Sequence, residues 1–320
     1  MSTEKSDNST SVRSRIDAIR ARVETVIVGK RDIVNHALCA ILTNGHILIE
    51  DTPGVGKTTL AKALATALGC DIRRIQFTPD LLPADVTGSS IFNSTSRDFE
   101  FRPGPVFTQV LLADEINRAT PKTQAALLEC MEERQVTVDG ITYPVPAPFF
   151  VIATQNQIEH AGTFQLPAAQ LDRFLMRVHM GYPSAADEIA ILTSQQSANP
   201  IDTLQPESNA AEISTLQTHV RNIHVDPTIH AYIVALVGAT RSDVRIDIGG
   251  SPRGSLALLH AAQAWAAMAG RNHVIPDDVK ALAIPILAHR ISLSGDAFAK
   301  GMTERDVLTS ILSSVAVPKA

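Results

Sequence analysis

Apolar residues recur at spacings of three and four through Val12, Ile16, Ile19 and Val23, which predicts an amphipathic helix behind a polar stretch, residues 1–10, read as a disordered tail. The segment Val26-Ile27-Val28-Gly29-Lys30 breaks that helix, and a second one is expected from Ile33 to Leu42. Short apolar runs then take over. His46 to Ile49, Val110 to Ala113, Phe149 to Thr154 and Leu175 to Met180 read as buried strands, and Asp71 to Phe77 alternates like a fifth. Helical patterns beginning at Leu60 and at Lys122 separate them. Strands alternating with helices predict an α/β unit with a five-stranded parallel sheet between helices. Two hairpins interrupt the alternation: Ser89–Ile91 with Phe99–Phe101, and 135–143 around Asp139-Gly140. Beyond Tyr182-Pro183-Ser184 the pattern is helical, over about 185–197, 208–222, 226–241, 252–269, 277–289 and 303–315. The expected division is therefore an α/β core over 11–183 followed by an all-α domain over 184–320.

A length of 320 residues accords with two domains. A net charge of -5 leaves no whole-chain footprint for nucleic acid, and 4% aromatics make base stacking an unpromising theme. Cys39, Cys70 and Cys130 lie too far apart for a zinc or disulfide framework and read as small core residues. The N-terminus does not resemble a signal peptide and no apolar run reaches the length of a membrane span, so a cytoplasmic protein is expected.

Chemistry concentrates where the first apolar run ends. Leu48-Ile49-Glu50-Asp51-Thr52-Pro53-Gly54-Val55-Gly56-Lys57-Thr58-Thr59 reads as strand, glycine loop and helix start, the arrangement that binds nucleoside-triphosphate phosphates. Gly54 and Gly56 let backbone N–H groups turn inward beside Pro53 and Val55, Lys57 adds a point charge, and the Thr58 hydroxyl, next to Thr59, can ligate Mg²⁺. The usual pattern begins with Gly where this chain has Asp51. The run Val110 to Ala113 ends in Asp114 and Glu115. Asp114 is placed to hold Mg²⁺ through water and Glu115 to orient or deprotonate an attacking water; the alternative is that both acids cap the following helix. Asn156, at the tip of the Phe149 strand, either touches the γ-phosphate or the water, or is a turn former. Arg173 is a surface charge or a partner for Asp172. Arg253 sits in the first turn of a helix, where a cation is disfavoured, with Ser251 as N-cap and Pro252 at the first helical position.

Taken together, Glu50 to Thr58, Phe77-Thr78-Pro79-Asp80-Leu81-Leu82-Pro83, Asp114-Glu115-Ile116-Asn117-Arg118-Ala119, Ala153-Thr154-Gln155-Asn156, Leu171-Asp172-Arg173-Phe174 and Ser251-Pro252-Arg253 resemble the MoxR family of AAA+ ATPases, from about residue 11 to the end. The resemblance implies a phosphate-loop AAA+ core with a helical lid, and it treats Asp51 as a family habit. It implies that Asn156 is the sensor 1 residue, Arg173 the arginine finger and Arg253 sensor 2, and that Val28 and Gly29 belong to the adenine pocket. The hairpin at 89–101 corresponds to the helix-2 insert and that at 135–143 to the pre-sensor-1 hairpin. Gln157, where a proline is common, and Ala168, where a Glu is common, depart from the pattern, and Ala168 puts the subunit contact near Arg173 in question. The implied activity is hydrolysis of ATP with Mg²⁺ in a homo-oligomeric, expectedly hexameric, ring. The implied use is chaperone-like remodelling or maturation of protein clients, with von Willebrand factor A domain proteins as typical partners. A nucleic-acid motor on the same fold and a weakly hydrolysing nucleotide switch are the alternatives. The acidic charge and absence of an added DNA-binding module speak against the first, intact Glu115, Asn156 and Arg173 against the second.

Overall fold

A computed structural model describes residues 2–156 and 162–318, with side chains described from Val12 onward. The α/β part runs α1 (Ser2–Glu24), α2 (Arg31–Leu42), β1 (Ile47–Glu50), α3 (Lys57–Ala67), β2 (Ile72–Gln76), α4 (Pro83–Thr87), β3 (Gly88–Asn93) and β4 (Asp98–Pro103). It continues through β5 (Val110–Asp114), α5 (Pro121–Glu133), β6 (Gln135–Val138), β7 (Ile141–Pro144), β8 (Phe150–Gln155), α6 (Ala168–Leu171) and β9 (Met176–Val178). The helix α1 begins at Ser2, ahead of the boundary near residue 11 that composition suggests.

The five-stranded sheet has the order β2-β5-β8-β1-β9, and every pairing in it is parallel. Alternate residues of each strand feed opposite layers. Val110, Leu112, Ile47, Ile49 and Ile152 join the cluster with α1, α2 and α3. Leu111, Ala113, Leu48 and Val151 join Leu127, Leu128 and Met131 of α5 on the other face. Period-two alternation on a doubly covered sheet explains why these strands are continuous apolar runs. Parallel pairing also brings every strand's C-terminal end to one edge. Glu50 is in register with Gln155, and Gln76 with Asp114, so the tips that carry chemistry converge there.

The hairpins β3-β4 and β6-β7 form as predicted and touch one another through stacked Phe101 and Tyr143 rings, 4.1 Å apart. Phe92 and Phe99 pair edge to face on the first hairpin and are exposed.

The remaining α-helices and strands are α7 (Ala185–Ser194), α8 (Ala210–Arg221), α9 (Pro227–Ser242), β10 (Ile246–Ile248), α10 (Pro252–Met268), α11 (Pro276–Leu287), β11 (Ser292–Leu293), α12 (Gly295–Ala299) and α13 (Glu304–Ser314). The helical lid thus carries a small antiparallel pair, β10-β11, that the helical pattern does not reveal. Its core is continuous with the sheet's first layer, because α10 packs on α1 and α2. Cys39 and Cys130 are buried and Cys70 is half-buried, all as free thiols. Among the described residues, no helix is long and apolar enough to cross a membrane.

One buried polar link ties the layers together and has a pH signature. His46, just before β1, meets the Met131 carbonyl through Nε2 at 3.1 Å and accepts from the Val151 N–H through Nδ1 at 3.0 Å. Burial pushes its pKa down to about 3, so it stays neutral in the fold. The unfolded chain takes up a proton near pH 6.5, so the stability that neutral His46 contributes is complete above that value and lost as pH falls towards 3. Urea unfolding at pH 7 and pH 5 should therefore show about 2 kcal/mol less acid sensitivity in His46→Gln than in the natural protein. Equal acid slopes for both would refute this.

Candidate functional site

From β1 the chain turns through residues 51–56 into α3. Gly54 and Gly56 have φ of +85° and +96°, in the left-handed region. A Cβ at Gly54 would meet nothing within 4 Å, so backbone conformation, not crowding, calls for glycine there. No side chain caps α3 at Gly56, which leaves its first-turn N–H groups available to an anion. Asp51 has a task that explains its presence: its carboxylate accepts from the N–H groups of Met180 (2.5 Å) and Gly181 (2.7 Å), tying the loop to the chain after β9.

Lys57, Thr58 and Thr59 line a cavity of about 320 Å³ with Pro53, Gly54 and Gly56. Asp114, Glu115 and Asn156 form its other wall. Val55 does not line it and packs against the core. Lys57 is buried, and burial lowers its pKa while Asp51, Asp114 and Glu115 oppose that shift. Its Nζ donates to the Asp51 carbonyl at 2.9 Å and to Asn156 Oδ1 at 3.2 Å. The Asn156 Nδ2 in turn donates to Glu115 Oε1 at 3.1 Å. An ammonium can only donate and a carboxylate only accept, so these partners fix which way the Asn156 amide points. A continuous hydrogen-bonded chain, Lys57 to Asn156 to Glu115, thus spans the cavity.

The two acids do not cap a helix. Asp114 Oδ1 accepts from Thr154 Oγ1 at 2.6 Å and Oδ2 from the Arg74 guanidinium at 2.7 Å. Glu115 has φ of 56°, a sharp turn at the strand end, and its N–H donates to Thr154 Oγ1 at 2.8 Å. Its Oε2 accepts from Gln76 Nε2 at 2.7 Å and from Arg118 at 3.0 Å. The sequence assigns no role to Gln76 or Arg74, nor to Thr154 and Arg118, although the last two stand within its motifs. Arg74 and Gln76, two apart at the end of β2, point the same way in any strand, but only the parallel neighbour β5 shows what they meet.

Val28 and Gly29 do not line this cavity. Gly29 has φ of +70° and faces the Asp187 carboxylate, where a Cβ would come within 2.3 Å. Lys30 Nζ donates to the carbonyls of Met180 (2.6 Å) and Tyr182 (2.8 Å), so this turn and the phosphate loop share one anchoring segment.

Arg173 and Arg253 lie elsewhere. Both border a separate cavity of about 300 Å³ between α5 and the lid. Arg173 Nε is 3.1 Å from Glu132 Oε2, and Arg253 pairs with the other oxygen of the same carboxylate. Ser251 occupies the cap position of α10 without making a side-chain cap; its hydroxyl instead reaches Asp172 Oδ2 at 3.3 Å. Glu132 and Asp172, rather than Ser251, therefore compensate the cation at the helix start. Ala168 opens the short α6. Gln157 lies outside the described residues.

Among the described residues, no group of three or more His, Cys, Asp or Glu could hold a metal ion by itself. Thr58 and Asp114 nevertheless line one cavity, and hard oxygen donors few in number suit Mg²⁺ that arrives with phosphate oxygens.

Residues 46–176 match the family described as ATPases associated with various cellular activities (AAA), and residues 238–311 match the AAA lid domain. Chaperone MoxR1 of Mycobacterium tuberculosis is 41% identical over 306 residues, covering 93% of this chain and 81% of that one. The uncharacterized protein YeaC of Bacillus subtilis is 51% identical over 296 residues, covering 92% of each chain. A crystal structure of a presumed ATPase from Cytophaga hutchinsonii superposes with a TM-score of 0.90 at 38% identity, covering 98% of each chain.

Proposed function

Since the chain belongs to the MoxR family of AAA+ ATPases, we propose that it hydrolyses ATP with Mg²⁺ at sites shared between neighbouring subunits of a ring, and uses the cycle to remodel partner proteins. On this reading residues 11–183 are the ATPase core and 184–320 the lid. The observation that carries the proposal is the division of cationic groups. Lys57 alone of the predicted cations faces the phosphate cavity, while Arg173 and Arg253 are held together on another face by Glu132.

The geometry supports the following roles. The Gly54–Gly56 backbone and Lys57 bind the phosphates, with Val28 and Gly29 towards the base. Thr58 and Asp114 would hold Mg²⁺, which supplies charge neutralisation at the β- and γ-phosphates. Glu115 accepts a proton from water, and Asn156, bonded to both Lys57 and Glu115, sets where that water sits. The transferred phosphoryl group needs cationic stabilisation beyond Lys57. Arg173 and Arg253 share one carboxylate away from the subunit's own phosphate cavity, which supports reading both as groups that reach a neighbour's nucleotide, with sensor 2 acting across the interface. Subunits meeting head to tail in this way close into a ring, taken here as a hexamer.

The name of the mycobacterial relative supports a chaperone role, and the exposed Phe92–Phe99 pair offers an apolar contact for a protein client. Partners with von Willebrand factor A domains and a cytoplasmic location complete the proposal.

The test is ATPase rate against protein concentration, with mass measured at each point. The specific rate should rise as rings assemble. A rate per subunit that stays constant on dilution to monomers would contradict the shared site.

A further inference from the structure

The lid contributes a buried arginine that the reading above leaves without a task. Arg290 follows α11, and its side chain is 2% exposed. Its guanidinium donates to Asp172 Oδ1 (2.7 Å) and to the carbonyls of Asp172 (3.1 Å), Phe174 (2.7 Å) and Leu175 (3.1 Å), and also meets the Ile286 carbonyl. Neighbouring His289 reaches the same Phe174 carbonyl at 3.0 Å. Nearly all of these bonds grip three residues that flank Arg173: Asp172, Phe174 and Leu175.

Asp172 passes the grip on. Its Oδ1 takes Arg290, while Oδ2 takes the Ser251 hydroxyl and lies 4.0 Å from Arg253 NH1. Gly254, next to Arg253, lets α10 approach the Arg290 stem, since a Cβ there would lie 3.3 Å from Arg290 Cδ. One lid side chain thus supports the backbone beneath Arg173 and the first helical turn that carries Arg253.

Burying a guanidinium is costly, and an apolar side chain in its place is often as stabilising. Burial lowers the Arg290 pKa to about 10, which still leaves it charged at neutral pH. What an apolar residue cannot supply is a planar fork that fixes three carbonyls and a carboxylate in one arrangement.

We infer that Arg290 is a positioning residue for hydrolysis in the neighbouring subunit: through Asp172 it holds Arg173 and Arg253 as one rigid pair aimed at that subunit's nucleotide. The inference rests on the shared-site reading. It makes lid and arginine pair a single body, so that movement of the lid moves both arginines at the interface.

Subunit mixing tests it. Arg290→Lys keeps the charge and loses the fork, and alone it should lower kcat about 10²-fold, the loss expected from displacing a reacting group by an ångström, with ATP affinity unchanged. Glu115→Gln subunits lack their own hydrolysis but keep the arginine pair. Mixed rings should recover activity, because an Arg290→Lys subunit brings an intact phosphate cavity and a Glu115→Gln neighbour brings intact arginines. Arg173→Ala mixed with Glu115→Gln is the control. Recovery in the control but not with Arg290→Lys overturns the inference and leaves the shared site standing. Failure of both mixtures removes the shared site and the inference with it. Should Arg290→Lys not fold, as judged by circular dichroism, Asp172→Asn takes its place, and the same outcomes decide.

Discussion

Arg173→Ala is expected to lower ATP hydrolysis by about 10³–10⁵, the range that arginine fingers contribute in other nucleoside triphosphatases. The reason is positional. The phosphate cavity is lined by Lys57 but not by Arg173, whose Nε stands 3.1 Å from Glu132 on another face. Removing it leaves the subunit's own phosphate loop intact, so ATP affinity should hold while kcat collapses. Arg173→Lys should recover little, since a lysine offers one point charge where a guanidinium offers a planar pair of donors. Ring mass, nucleotide affinity and kcat measured on one preparation separate the possibilities. Unaltered kcat in an intact ring would show that Arg173 is a structural partner of Glu132 and nothing more.

Glu115→Gln should bind ATP as before and hydrolyse it about 10²–10⁴-fold more slowly, the usual loss when a general base is removed. Glu115 accepts hydrogen bonds from Gln76, Arg118 and Asn156, so its carboxylate is positioned by three donors. An amide of the same shape cannot take a proton from water, and it turns an N–H towards at least one of those donors. The variant should therefore accumulate ATP-bound rings, visible as retained nucleotide after gel filtration. Turnover near that of the natural protein would return Glu115 to a turn-forming role at the end of β5, where its φ is 56°.

Both expectations draw on residues that the sequence names, but the geometry that sharpens them does not come from sequence. Periodicity placed the strands of the sheet, both hairpins and the longer helices, apart from the start of α1 at Ser2, to within a few residues, because each signal there is local: period two, period three to four, an Asp-Gly turn, a Ser or Pro at a helix start. It missed β10-β11, two very short strands paired between distant segments, and α12, whose five residues are too few to show a helical period. It also gave Ser251 a capping hydroxyl, which Asp172 claims instead from 79 positions away in the chain.

The candidate site divides along the same line. The phosphate loop was legible because strand, glycines, Lys57 and Thr58 are consecutive, and their backbone geometry follows from their order. Gln76, Arg74 and Thr154 were not, since their importance depends on which strands lie side by side, and the order β2-β5-β8-β1-β9 is a property of packed helices and crossovers. The sequence by itself determined the family, the α/β core, the helical lid and the glycine loop proposed to meet the phosphates. Only the tertiary structure decided that Lys57, Asn156 and Glu115 form one chain of hydrogen bonds, and that Arg173 and Arg253 leave that chain to share Glu132 under the hold of Arg290. The physical reason is that hydrogen bonds and ion pairs depend on distances in space, and residues separated by tens to hundreds of positions acquire those distances only when the sheet and lid have packed.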